Sequence, residues 1–163
     1  MQVYLLRHGI AENARPGAAD RNRALTPEGK KKLRDVLRVA KAAGVEPGIV
    51  VTSPYRRAQE SAEIAREVLD FKDALSFANC LVPGGDPPDV WAEIRSLRVE
   101  QVLLVSHEPL CGRLLAYLLG CPPLDVEFKK GAIARIDIEP SSGGPRGSLQ
   151  WLLTAKLAEG AAK

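Results

Sequence analysis

Val3-Tyr4-Leu5-Leu6-Arg7-His8-Gly9 opens the chain as an apolar run that ends in an arginine, a histidine and a glycine. A short run of this kind, closed by a turn residue, reads as a strand buried on both faces of a sheet. Val102-Leu103-Leu104-Val105-Ser106-His107-Glu108-Pro109 repeats the pattern far down the chain. The only two histidines therefore leave the C-terminal ends of two strands. In open parallel α/β sheets that edge is where ligands bind.

Working outward, strands are expected over 2–7, 48–52, near 76–81, 101–106, 132–139 and 148–154, with helices over 26–43, 55–69, 88–98 and 109–119. Thr26-Pro27-Glu28-Gly29 marks a helix start, with a threonine cap and a proline in the first turn. Leu33, Val36, Leu37 and Ala40 follow at helical spacing. The alternation implies a three-layer α/β/α sandwich around a mostly parallel sheet. Only Ser141 to Gly147 separate the last two strands, too few residues for a crossover helix, so these should form an antiparallel hairpin near the C-terminus. A polar loop is expected over 9–25, a Pro/Gly loop over 82–88 and a frayed tail at the end. No repeat or linker interrupts the pattern, and residues 1–163 read as a single domain.

A net charge of +3 is too small to argue for nucleic acid. No apolar run approaches the roughly 20 residues that a membrane-spanning helix needs. The first strand begins at Gln2, which leaves no room for a signal peptide, so a cytoplasmic location is expected. Cys80, Cys111 and Cys121 lack C-x-x-C spacing and read as reduced thiols. Residues 1–82 hold 14 Lys+Arg against 10 Asp+Glu and residues 83–163 hold 9 against 10, so an anion is drawn toward the half with the arginine motifs.

His8 can act as nucleophile, base or ligand, with Gly9 allowing a sharp turn. Thr52-Ser53-Pro54-Tyr55-Arg56-Arg57-Ala58 brings a strand end and a helix start to the same edge, where backbone N–H groups and an arginine fork favour phosphate. Arg57 is preferred to Arg56 for that role. His107, just before Pro109, should look into the same crevice. Competing chemistries lack their parts. Cys111 stands where a zincin's second histidine belongs, and no P-loop, G-x-G-x-x-G or G-x-S-x-G is present. Two histidines without clustered carboxylates or thiolates are a poor metal site, so neither metal nor cofactor is expected.

With Arg7-His8-Gly9, Leu25-Thr26-Pro27-Glu28-Gly29, Ser53-Pro54-Tyr55-Arg56-Arg57-Ala58 and Ser106-His107-Glu108-Pro109 in this order, the chain resembles the histidine phosphatase, or phosphoglycerate mutase-like, superfamily. Within it, the chain looks like the small SixA-type phosphohistidine phosphatases. The resemblance implies that His8 is the nucleophile and becomes phosphorylated, that Arg7 and Arg57 bind the phosphoryl group, and that His107 completes the pocket without a metal. Glu108, beside His107, joins the expected substrate-binding residues.

Larger members carry a carboxylate acid on an inserted segment. Only 49 residues separate Arg57 from His107 here, and Asp86 is the candidate general acid. So open a site suits a phosphorylated protein, such as a phosphorelay component, and should also take a phosphate or sulfate ion. Arg15, Arg21 and Arg23, in the loop after the nucleophile, are either solvated or partner contacts. Two alternatives stay open: a general phosphomonoesterase with Asp86 as acid, and a non-catalytic module that binds phosphorylated proteins.

Overall fold

The computed structural model describes residues 1–139, 141 and 143–161. Eleven elements follow in chain order: β1 (Gln2–Arg7), α1 (Pro27–Ala42), β2 (Ile49–Thr52), α2 (Arg56–Val68), β3 (Ser76–Phe77), α3 (Pro87–Ser96), β4 (Gln101–Ser106), α4 (Leu110–Leu118), β5 (Ile133–Ile138), β6 (Gly147–Leu153) and α5 (Ala155–Ala161). The sheet order is β3-β2-β4-β1-β5-β6. The first four strands in that order run parallel, and β5 and β6 add on as the expected antiparallel pair. Ser142, in the hairpin loop, lies outside the described residues.

Strand alternation divides the core in two. Val3, Leu5, Val102 and Leu104 pack beneath α3 and α4, whereas Tyr4, Leu6, Leu103 and Val105 pack beneath α1 and α2. The parallel register pairs Arg7 with Ser106 at the ends of β1 and β4. One more ladder bond, His8 N–H to Ser106 O at 3.0 Å, carries the match a step further. His8 and His107 consequently emerge side by side.

The start of α1 buttresses this edge. Thr26 Oγ1 accepts from Gly29 N–H at 2.9 Å, closing the first turn. Gly29 then lies against the loop that follows His8, where a Cβ would fall 2.2 Å from the Ile10 carbonyl oxygen. Only glycine fits that approach without a backbone shift.

Three local expectations need correction. The strand near 76–81 stops at Phe77, and Asn79–Leu81 form a 3-10 turn that sends Leu81 into the core and its carbonyl to the Ser106 hydroxyl. The second helix begins at Arg56, one residue later than expected, with Tyr55 as its N-cap, and the Ser53 hydroxyl reaches His107. The frayed tail expected after β6 is helical over Ala155–Ala161, which form α5 and bury Ala158 in the α1 side of the core; residues 162–163 lie outside the described residues.

Candidate active site

The C-terminal edge of the sheet assembles the cluster from four places. β1 delivers Arg7 and His8, β2 delivers Ser53, the first turn of α2 delivers Arg57, and β4 delivers His107. The two imidazole rings lie 5.0 Å apart between centroids. Tyr55 meets His107 edge-on at 5.1 Å, and the Arg57 guanidinium lies 5.2 Å from the Tyr55 ring. His8, Arg57 and His107 are only 5%, 4% and 1% exposed, so their electrostatics act with little water between them.

Hydrogen bonds assign the proton on His8. Arg57 Nε lies 3.2 Å from His8 Nε2, and a guanidinium N–H can only donate. Nε2 is therefore the acceptor, and Nδ1–H donates to the Gly9 carbonyl at 2.7 Å. Gly9 is also held through its own N–H, which donates to Ser61 Oγ at 3.1 Å, and Ser61 donates to the Arg57 carbonyl. Burial, with Arg57 and Arg7 adding to it, pushes the His8 pKa down to about 3 despite the opposing pull of the Gly9 bond. The ring is neutral at physiological pH and carries its lone pair on Nε2.

His107 is matched to it. Its Nε2 lies 2.8 Å from Ser53 Oγ. The Ser53 hydroxyl has no other acceptor among the described hydrogen bonds, so it donates to Nε2 and leaves the ring proton on Nδ1. Burial, then His8 and Arg57, lower the His107 pKa to about 3. Its Nδ1 is buried without a partner, and so is Arg7 Nε, although Arg7 Nη1 reaches the Phe128 carbonyl at 2.8 Å. Buried donors left unpaired are expensive, and the oxygens of an anion seated here would satisfy them.

Asp20 carries no signal in the sequence, yet it takes the end of the Arg57 fork. Arg57 Nη1 donates to the Asp20 carbonyl at 2.9 Å and Nη2 to its carboxylate at 3.0 Å. Ser61 was legible only as the residue one turn beyond Arg57, and Ser53 only as part of a helix start. Arg56 points outward to Glu60.

Two expected residues make their hydrogen bonds outside the cluster. Asp86 is exposed and pairs with Arg113 at 3.1 Å, and no described hydrogen bond ties it to His8, His107, Arg7 or Arg57. Glu108 is turned onto the start of α4, where its carboxylate accepts from Gly112 N–H at 3.1 Å. Burial raises its pKa, with Arg7 opposing. Among the described residues no three His, Cys, Asp or Glu side chains group as a metal site, and no helix is long and apolar enough to cross a membrane.

Comparison with known proteins agrees with this geometry. A family model described as the histidine phosphatase superfamily (branch 1) matches residues 3–76. The phosphohistidine phosphatase SixA of Escherichia coli (strain K12) is 34% identical over 149 residues, covering 88% of this chain and 89% of that protein. A SixA homolog from Haemophilus influenzae is 30% identical over 132 residues, 74% of this chain and 78% of its own. A solved structure of the protein histidine phosphatase SixA complexed with tungstate has a TM-score of 0.87 and 32% identity, and the match covers 96% of this chain and 99% of that one. Sequence motifs, sheet topology and these relatives agree: the chain belongs to the histidine phosphatase superfamily and is of its SixA type.

Proposed function

We infer that this chain is a phosphohistidine phosphatase that hydrolyses phosphohistidine on a protein through a phosphorylated His8. The observation that carries the reading is the His8 tautomer, a neutral ring with its Nε2 lone pair facing Arg57 and its Nδ1–H anchored on Gly9. In the first step Nε2 attacks phosphorus in line. The Nε2–P bond forms as the substrate's N–P bond breaks, and the departing imidazole takes a proton from solvent.

Arg7, Arg57 and the Nδ1–H of His107 hold the equatorial oxygens, where the transferring group spreads its charge. As His8 becomes cationic, its bond to the Gly9 carbonyl strengthens. Water then attacks phosphorus, the Nε2–P bond breaks and orthophosphate leaves. The imidazole of a phosphohistidine is a good leaving group and places little demand on an acid, which suits a cluster without Asp86 or Glu108. The SixA relative is complexed with tungstate, a tetrahedral oxyanion like phosphate, which supports a phosphate-like ligand for this chain.

The same reading has the chain work as one domain in the cytoplasm on a phosphorelay component. Its three free cysteines fit a reducing compartment. A hydrolysis panel tests it: phosphoramidate and a phosphohistidine protein should be turned over in excess EDTA, with phosphoserine peptides and sugar phosphates far slower. A preference for sugar phosphates, or metal dependence, would contradict it.

A further inference from the structure

Two cavities beside the histidine pair are lined by cations and by no carboxylate. Beside Tyr55 lies a cavity of about 650 Å³ whose lining includes Arg21, Arg56, Asn22, Gln59 and Asn79. Beside Arg7 and Gly9 lies another of about 400 Å³, lined by Lys32, Lys129 and Lys130. No Asp or Glu lines either one. The groove between α1 and α2 differs, because Glu60, Glu63, Glu67 and Asp70 face its cations there. Cations without a carboxylate in the cavity wall are thus found next to the reactive edge, in a protein whose whole charge is only +3.

Pairing within each rim sharpens the pattern. Arg56 is matched by Glu60, Lys32 by Glu28, and Lys129 by Glu127. Arg21 and Lys130, one on each side, are exposed and have no ion-pair partner among the described residues. Three amide side chains on the Tyr55 side add donors and acceptors suited to peptide groups.

We propose that the two rims form one docking surface for an acidic protein face, which places carboxylates on both sides of the phosphohistidine that enters between them. The proposal rests on the phosphohistidine phosphatase reading and adds the chemistry of the partner. Rim charges of this kind act through steering and partner choice, and their effect fades as salt shortens the reach of the field.

Two synthetic peptides, identical except for aspartates or lysines flanking one histidine, and each phosphorylated with phosphoramidate, supply the test. The wild-type chain should hydrolyse the aspartate peptide with about tenfold higher kcat/KM at low salt, a ratio that shrinks toward one at high salt. An Arg21→Glu, Lys130→Glu double variant should abolish or invert that preference and turn over phosphoramidate within about twofold of wild type. Phosphoramidate turnover without a peptide preference, or a double variant that keeps the preference or loses all activities equally, would overturn the docking surface. Failure of the wild type on all three substrates would instead overturn the phosphatase reading beneath it.

Discussion

Replacing Arg57 with lysine keeps the charge and removes the fork. In the folded chain this guanidinium serves three directions at once: Nε to His8 Nε2, Nη1 to the Asp20 carbonyl and Nη2 to the Asp20 carboxylate. An ammonium is one point on a flexible stem and cannot hold His8 and Asp20 together while offering a planar edge to phosphoryl oxygens. The bond to His8, buried on both sides, is worth about 1.5–3 kcal/mol, whereas the pair with half-exposed Asp20 is screened by water and adds less. The upper end of that range, about 3 kcal/mol, is a rate factor of roughly 10², and loss of a preorganised donor alone costs about 10²–10³. Arg57→Lys should therefore lower kcat/KM on phosphoramidate by roughly 10²–10³-fold, with a circular dichroism spectrum like wild type. A loss below about tenfold in a folded variant would refute the claim that fork geometry, beyond mere charge, prepares the site.

Further outcomes follow from neighbouring contacts. His8 and His107 have pKa values pushed down to about 3 from 6.5 by burial, so below about pH 6.5 the unfolded chain takes up protons that the folded chain refuses. Stability should hold above that pH and fall between it and about pH 3, by up to about 1.4 kcal/mol per pH unit for each histidine. Denaturant melts of His107→Asn should show a shallower decline than wild type, and an unchanged slope would contradict the linkage. Gly29→Ala should destabilise by about 1–3 kcal/mol, because its Cβ meets the Ile10 carbonyl, and a rise in Tm would show that helix propensity outweighs the clash. Asp86→Ala should leave phosphohistidine hydrolysis within about twofold, since that carboxylate pairs with Arg113, and a loss of tenfold or more would restore it as the acid.

What the sequence made legible were features written into contiguous residues. The apolar runs before His8 and His107 are buried parallel strands, and their shared edge follows from the handover to loops. Thr26 to Gly29 announced α1 through local capping chemistry. The placement of Arg57 inside and Arg56 outside also followed the motif.

Contacts made across space were another matter. Asp20 lies 37 residues from Arg57 and reaches it only because the loop folds over the first turn of α2. α5 is seven residues long with one buried alanine, too short for a period to register. Glu108 follows His107 directly, but the chain turns there, and the carboxylate meets the Gly112 amide of α4. Asp86 lies in the Pro/Gly loop before α3, and only the position of Arg113 on α4 determines where it points.

The central claim is that His8 Nε2 forms a bond to phosphorus during turnover. Rapid mixing with labelled phosphohistidine protein, followed by alkaline quench and peptide mapping, examines that step directly. The expected result is an acid-labile, alkali-stable label on the peptide containing His8, absent in His8→Ala and cleared at the rate of orthophosphate release. Turnover at an undiminished rate in His8→Ala, or label on His107 in place of His8, would contradict it.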